Sequence, residues 1–237
     1  MTRGLWCAVV SVCLISTAAN AGTGILQNTD VDGNGEYLFF NQQITKGCFY
    51  RTVFQTDGNL VTYDGNGAAL WATGTNGGYA HVTFTGNLMV KNWSDQVVWQ
   101  TNTSRSCDLN VPVKCTWSNL RQGDDGSLKV IHNNTAVLWS SGIAAPVTTG
   151  SCSTTPERVT RVSKNVNRPG GDIRGFFITE PRPSWCGGYC ALEGPSCKAY
   201  TYVPPGVQGA NAACWLKHTV TPAVNQAGMV SGEVLVR

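Results

Sequence analysis

Charged side chains are scarce in this sequence. Lysine, arginine, aspartate and glutamate make up 13% of its 237 residues, against about 25% in a typical globular protein. No block or stripe of basic residues occurs, and the formal net charge is only +3. Since a nucleic-acid partner needs a clustered positive surface, the composition argues against one.

Long apolar runs are also lacking, apart from Leu5–Ile15. That run follows Arg3 and precedes the small-x-small sequence at residues 19–21, an order typical of a secretory signal peptide. It is too short to span a bilayer comfortably. We therefore predict a signal peptide at residues 1–21, a secreted extracellular product and no membrane span. In a secreted chain, three sequons are candidates for N-glycosylation: Asn92, Asn102 and Asn133.

Histidine is rare, and its three positions do not suggest catalysis. His81, His132 and His218 lie in no nucleophile-elbow or H-E-x-x-H context. No C-x-x-C pair is matched by a histidine pair, so zinc is not predicted. Residues 30–36 imitate the start of a calcium loop, but its twelfth position would be Asn41 rather than glutamate, so a plain turn is favoured. We predict neither an enzyme nor a metal or cofactor site.

Cysteine, by contrast, is plentiful. Of ten cysteines, Cys7 and Cys13 fall in the predicted signal peptide. The remaining eight are an even number in an exported chain, which implies disulfides rather than metal ligands or free thiols. They are Cys48, Cys107, Cys115, Cys152, Cys186, Cys190, Cys197 and Cys214.

Three segments of the chain repeat one pattern. In each, the middle residue of a Gly-x-Leu turn precedes a tryptophan by 12 residues: 59 to 71, 87 to 99 and 127 to 139. Short strands between Gly/Asn/Asp turns are typical of β structure. One tryptophan at a fixed offset predicts a threefold core in preference to ligand stacking. The third repeat follows a longer gap, which coincides with a predicted loop closed by a Cys107–Cys115 disulfide.

The character of the sequence changes near Thr148. Proline, arginine and closely spaced cysteines appear, and the tryptophan-ended repeats stop. Cys186 and Cys190 are four residues apart and would share one face of a helix, and the segments after them alternate like strands. Residues 144–151 have the composition of a linker. We therefore predict a domain boundary there.

The segment from Gln55 to Tyr63 reads Q-T-D-G-N-L-V-T-Y. It fills every position of Q-x-D-x-N-x-V-x-Y and so resembles the sugar-site motif of the bulb-type, or monocot mannose-binding, lectins. With the threefold repeat, the resemblance covers residues 22–147 and implies a type II β-prism. It implies that the Gln, Asp and Asn bind the 2-hydroxyl and neighbouring oxygens of mannose, that the Tyr reaches the 4-hydroxyl, and that the Val packs on the ring. The implied carbohydrate-binding residues are Gln55, Asp57, Asn59, Val61 and Tyr63.

Elementary chemistry agrees with this interpretation. On a strand these alternate side chains would share one face. Sugar hydroxyls both donate and accept hydrogen bonds, which suits an ionised acceptor flanked by amides. The other two repeats depart from the motif, so one intact site of three is predicted. Their aligned residues are Thr83, Thr85, Asn87, Met89 and Lys91 in the second repeat, and Gly123, Asp125, Ser127, Lys129 and Ile131 in the third.

Residues 150–237 resemble a PAN/apple-type module. The resemblance rests on the last four cysteines and on the strand-like K-A-Y-T-Y-V and C-W-L-K segments around a Pro-Pro-Gly loop. It implies a small α+β fold with nested Cys190–Cys197 and Cys186–Cys214 disulfides. The module's usual terminal bridge lacks a late partner for Cys152. By elimination Cys152 is assigned to Cys48, although sequence alone does not fix connectivity.

Two functions remain open at this point. The first is a secreted lectin for mannose-type glycans or glycoproteins, with the PAN-like part as an adhesion module. The alternative is a secreted interaction or inhibitor protein whose lectin scaffold has little sugar affinity. A protein partner of the PAN-like part and a homo-oligomer are further expectations, because one sugar site alone gives weak binding and several linked sites give avidity.

Overall fold

Three four-stranded antiparallel sheets form the N-terminal part of the computed structural model, which describes residues 22–47, 49–105, 117–142 and 155–237. Each sheet combines the three strands of one repeat with one strand from the N-terminal segment. The first contains β3 (Gln42–Lys46), β4 (Tyr50–Phe54), β5 (Leu60–Asp64) and β6 (Ala69–Ala72). The second contains β2 (Gly35–Leu38), β7 (Tyr79–Val82), β8 (Leu88–Lys91) and β9 (Val97–Gln100). The third contains β1 (Ile25–Gln27), β10 (Ser118–Gln122), β11 (Leu128–His132) and β12 (Ala136–Ser140).

The three repeat tryptophans meet, as the sequence predicted. The ring centroids of Trp71, Trp99 and Trp139 lie 5.2–5.9 Å apart in edge-to-face pairs, a favourable arrangement for aromatic rings. Leu60 and Leu88, the leucines of the first two Gly-x-Leu turns, are fully buried in the same cluster. The repeats therefore build a threefold prism around one apolar centre.

The turn that begins each repeat's second strand has the same geometry in all three sheets. Gly58, Gly86 and Gly126 have φ angles of +82°, +86° and +77°, a region that glycine enters without strain. The amide of each glycine donates to the carbonyl three residues earlier. At Gly58 a side chain would also collide with the backbone of Gly77. The Gly-x-Leu sequence is thus a backbone requirement of the repeat.

The C-terminal part is a five-stranded antiparallel sheet with one helix. The strand order is β14-β16-β15-β17-β13, and α1 packs against β15 and β16. Cys186–Cys214 and Cys190–Cys197 are disulfide-bonded, which confirms the nested pairing and the helix that carries Cys186 and Cys190. The elements are β13 (Arg158–Asn167), β14 (Asp172–Ile178), α1 (Pro183–Leu192), a 3-10 turn (Gly194–Ser196), β15 (Ala199–Val203), β16 (Ala212–Lys217) and β17 (Val224–Val236).

Strand β13 joins the two parts. One edge of β13 pairs with β17, and the other pairs with β2 and, at one position, β3. Beside this junction Gln42 and Thr160 exchange two buried hydrogen bonds of 2.7 and 3.1 Å. Trp93, in the turn after β8, stacks on Trp185 of α1 with centroids 5.2 Å apart. The sheet therefore continues from the prism into the C-terminal part.

Several predictions fall outside the described residues. These are the signal peptide at 1–21, the Cys107–Cys115 loop, the Cys48–Cys152 pairing and the linker at 144–151. Within the described ranges, no helix is long and apolar enough to cross a membrane. The same ranges contain no cluster of three or more metal-ligating side chains. Residues 30–34 form a turn in which the Asp30 carboxylate accepts from the amides of Asp32 and Asn34.

Candidate carbohydrate-binding site

The segment from Gln55 to Tyr63 is a turn followed by a strand, and not one continuous strand. The Gln55 amide donates to the Asn59 carbonyl at 2.9 Å, which closes the turn, and β5 begins only at Leu60. The expectation that alternate residues share one strand face therefore applies to Val61 and Tyr63, while Asp57 projects from the turn. The cause is Gly58, whose positive φ reverses the chain.

Gln55 and Tyr63 come together at a cavity on the outer face of the first sheet. The Nε2 atom of Gln55 donates to the Tyr63 hydroxyl at 2.6 Å. Both side chains line a depression of about 310 Å³ with Asn41, Gln43 and Arg51. The Tyr63 hydroxyl keeps its own proton to donate, and the Gln55 carbonyl oxygen can accept. These groups match the donors and acceptors of a sugar hydroxyl.

Asp57 and Asn59 are partly committed to the turn. One carboxylate oxygen of Asp57 accepts from the Asn59 amide at 3.0 Å. The Asn59 Oδ1 atom accepts from Thr73 Oγ1 at 3.0 Å and from the Gly74 amide at 2.8 Å. Within the described ranges, the second Asp57 oxygen and the Asn59 Nδ2 have no hydrogen-bond partner. Asp57 is exposed, so that oxygen can accept from a ligand.

Val61 lies on the cavity side of the sheet but is almost covered. It is directly opposite Val53 in the β4–β5 ladder and so points to the same face, and its side chain is 3% exposed. Val53, rather than Val61, contributes to the wall of the cavity. The assignment of the five motif residues to sugar binding stays a prediction, with Gln55 and Tyr63 placed together and Asp57 and Asn59 at the adjoining turn.

In the third repeat, the carboxylate at the position equivalent to Asp57 is already hydrogen-bonded to side chains of its own repeat. Asp125, the counterpart of Asp57, accepts from Lys129 Nζ at 2.8 Å and from Ser127 Oγ at 2.5 Å. Desolvation acts to raise the pKa of Asp125, but hydrogen bonds from Lys129 and Ser127 outweigh it and lower that pKa to about 2. The carboxylate is thus held by its own repeat.

Arg51 is a site residue that the motif does not contain. It lies directly opposite Tyr63 in the β4–β5 ladder, with its guanidinium carbon 5.1 Å from the centre of the tyrosine ring. This is a cation–π distance. Strand pairing could have revealed Arg51. In the β4–β5 hairpin, the residue four positions before Gln55 lies directly opposite the tyrosine of the motif.

The predicted sequons differ in their surroundings. Asn102 and Asn133 are exposed, and both have positive φ angles. Asn92 is half-buried, and its amide already donates to Gln96 Oε1 at 2.9 Å. Asn92 also begins the turn that carries Trp93 to the junction. Use of any of the three as a glycosylation site stays a prediction.

The chain is similar to known proteins in two places. Residues 166–217 match the family described as PAN domain, within the part that holds both disulfides. A mannose-specific lectin from Aloe arborescens is 39% identical over 74 residues. That match spans 30% of this chain and 66% of the lectin, just under two thirds of its length.

Mannose-binding lectins are among the solved structures that are similar to about half of this chain. A monomeric monocot mannose-binding lectin from Gastrodia elata is 26% identical, with a TM-score of 0.41 over 51% of this chain and 97% of that one. The snowdrop (Galanthus nivalis) agglutinin, solved with methyl-α-D-mannoside, is 25% identical, with a TM-score of 0.36 over 50% and 95% of the two chains.

Proposed function

We propose that this protein is a secreted lectin that recognises mannose or mannose-rich glycans through one site in its first repeat, with the PAN domain as an adhesion module. The observation that carries the proposal is the Gln55–Tyr63 hydrogen bond at the first-sheet cavity. The turn that follows Gln55 carries an exposed Asp57 oxygen that no described group occupies. The Aloe arborescens relative, named as a mannose-specific lectin, supports the choice of sugar.

Binding at such a site is expected to be weak for a single sugar. The site is shallow, and each hydrogen bond that mannose forms there replaces one with water. A Kd on the order of 1 mM corresponds to only about −4 kcal/mol. Because each chain has one such site, avidity requires the expected homo-oligomer, in which several linked sites would bind one mannose-rich polymer about 10²–10⁴ times more tightly. We therefore expect mannan to bind more tightly than the monosaccharide.

The test is a titration of methyl α-mannoside and mannan with the wild-type chain and with Asp57→Ala. Removal of the carboxylate leaves a sugar hydroxyl without its charged acceptor, which costs about 1.5–3 kcal/mol, or a 10- to 100-fold rise in Kd. Asp125→Ala, at the equivalent turn of the third repeat, is the matched control and should bind like the wild type. Equal binding by Asp57→Ala and the wild type would exclude this site.

A further inference from the structure

A cavity lies between the second repeat and the PAN domain. Its volume is about 600 Å³, within the range of small-molecule sites, which often occur between domains. The prism contributes Tyr37, Tyr79 and His81, and the PAN domain contributes Lys164, Ser184 and Tyr200. Neither part forms this cavity alone.

The cavity occupies the same place on the second sheet as the first-repeat site does on the first. Strand registers pair Tyr37 with His81 and Tyr79 with Lys91. The corresponding pairs in the first sheet are Gln43 with Val53 and Arg51 with Tyr63. Thr83 and Thr85, which replace Gln55 and Asp57 in the repeat, also line the larger cavity. The second repeat has therefore lost the motif but has kept a cavity at its position.

His81 is a buried polar group without a partner. Its side chain is 6% exposed, and neither ring nitrogen makes a hydrogen bond within the part of the chain that the structure describes. Nearly all buried polar atoms in proteins are hydrogen-bonded, so an exception needs a reason. Burial, with a smaller effect of Lys91, lowers the pKa of His81 to about 3. The neutral ring offers one donor and one acceptor, the complement of a hydroxyl group.

The remaining walls combine an aromatic surface with hydrogen-bond donors, which suits a polyhydroxylated ring. Tyr37 stacks on His81 with ring centroids 4.9 Å apart and gives the cavity a flat aromatic surface. The ammonium groups of Lys91 and Lys164 form no ion pair in the described ranges and can donate to hydroxyl oxygens. Asp95 closes the junction, because it accepts from Tyr79 at 2.8 Å and from Ser184 and Arg182 at 3.3 Å.

We propose that this interdomain cavity is a second carbohydrate site, which takes a pyranose residue between the second repeat and the PAN domain. The proposal is independent of the first-repeat site, because the two cavities share no lining residue. It assigns the PAN domain a direct role in sugar binding, as one wall of the site. A chain with two different sites could contact two sugars of one branched glycan.

The experiment follows the ring resonances of His81 by NMR in the full chain, with His81→Phe used for assignment. Four probes are titrated separately: methyl α-mannoside, methyl α-glucoside, methyl β-galactoside and methyl N-acetyl-β-glucosaminide. Each titration is repeated with Asp57→Ala, which removes the first-repeat site, and with Thr85→Trp, whose indole should fill the cavity mouth. Asp124→Trp places the same indole on an exposed turn of the third repeat and is the control.

The expected result is a saturable shift of the His81 resonances with at least one probe. Asp57→Ala and Asp124→Trp should retain that shift, and Thr85→Trp should weaken binding at least tenfold. Absence of a saturable shift with all four probes would overturn the proposal, as would a shift that survives Thr85→Trp. Loss of the shift in Asp57→Ala would also overturn it. Failure of the first-repeat site appears separately, as mannan binding that does not depend on Asp57.

Discussion

At the scale of single residues, Arg51 distinguishes the first-repeat site from its two counterparts. Tyr79 and Asn119 occupy the equivalent positions, at or immediately after the start of β7 and β10. The second sheet reverses the pair, with Tyr79 opposite Lys91, and the third sheet pairs Asn119 with Ile131. Because the guanidinium lies over the Tyr63 ring and lines the cavity, it restrains the hydroxyl that the sugar is expected to contact.

Arg51→Ala should weaken binding of methyl α-mannoside about two- to fivefold, because a cation–π contact of this kind contributes about 0.5–1 kcal/mol. Isothermal titration measures the change. Arg121→Ala removes an arginine from the outer face of the third sheet and should leave the affinity unaltered. An unchanged Kd in Arg51→Ala would mean that Tyr63 is held by Gln55 alone.

His81 should make the stability of the fold depend on pH. Its pKa is about 3 when buried and 6.5 ordinarily, so the unfolded chain binds one more proton between these values. The free energy of unfolding contributed by neutral His81 is therefore complete above pH 6.5 and declines as the pH falls, by about 1.4 kcal/mol per unit. Tyr37 and Tyr79 pack beside the ring. Burial and neighbouring carboxylates raise the pKa of both tyrosines, so neither loses its proton in this window.

The comparison is urea unfolding of the wild type and His81→Phe at pH 7 and pH 5. Phenylalanine keeps an aromatic ring but cannot bind a proton. The wild type should lose about 2 kcal/mol more than His81→Phe over this interval. The loss arises because pH 5 lies about 1.5 units below the ordinary pKa of histidine. Parallel losses in the two proteins would show that His81 is reached by solvent when protonated.

At the scale of strands and turns, one polar clamp recurs in the first two repeats. Asn59 accepts from Thr73 in the first, and Asn87 accepts from Thr101 at 2.9 Å in the second, while Asn87 Nδ2 also donates to Gln100. In all three repeats the hydroxyl also accepts from the leucine amide, and in the third repeat this is the bond from Leu128 to Ser141 Oγ at 2.9 Å. The motif asparagine therefore holds a hairpin together as well as facing the predicted site.

Asn87→Ala should lower the free energy of unfolding by about 1–3 kcal/mol, because Asn87 is 3% exposed and its loss strands buried partners. Methyl α-mannoside affinity should not change. Asn59→Ala should show both effects, a similar loss of stability and weaker sugar binding. Urea unfolding and titration of the two variants separate them, and full stability of Asn87→Ala would contradict the clamp.

Local patterns explain which elements were predictable. The Gly-x-Leu turns, the tryptophan offset and the four-residue cysteine spacing each depend on neighbours in the chain, so the threefold core and α1 were predictable from the residues. The nested disulfides were implied only by the resemblance to a PAN/apple module. The strands β1, β2 and β3 each complete a different sheet. Their pairing is set by long-range packing, and no short motif encodes it. The interdomain cavity was not predicted for the same reason, because it is lined by residues far apart in sequence, such as Tyr37, His81 and Tyr200.

At the scale of the whole molecule, buried charge connects the two ends of the described chain. Glu157 is fully buried and accepts from the Gly24 amide at 2.9 Å. Arg237 contacts Glu157 at 2.5 Å and Glu36 at 2.9 Å, and both carboxylates are at most 2% exposed. Since β13 already extends the PAN sheet into the prism, this triad should make the two parts unfold as one unit.

Arg237→Met keeps most of the side-chain volume but leaves two buried carboxylates without their cation. Removal of one partner from a buried ion pair costs about 3–5 kcal/mol. Amide exchange in β5 of the prism and in β15 of the PAN domain should become faster by the factor that corresponds to this loss of unfolding free energy. The matched control is Arg174→Met, because its pair with Glu193 is half-exposed on the arginine side and such pairs contribute about 0–1 kcal/mol. Hydrogen exchange read by mass spectrometry along a urea series gives both quantities at once. If β5 and β15 open at different urea concentrations in the wild type, or if Arg237→Met matches Arg174→Met, the triad does not couple the two parts.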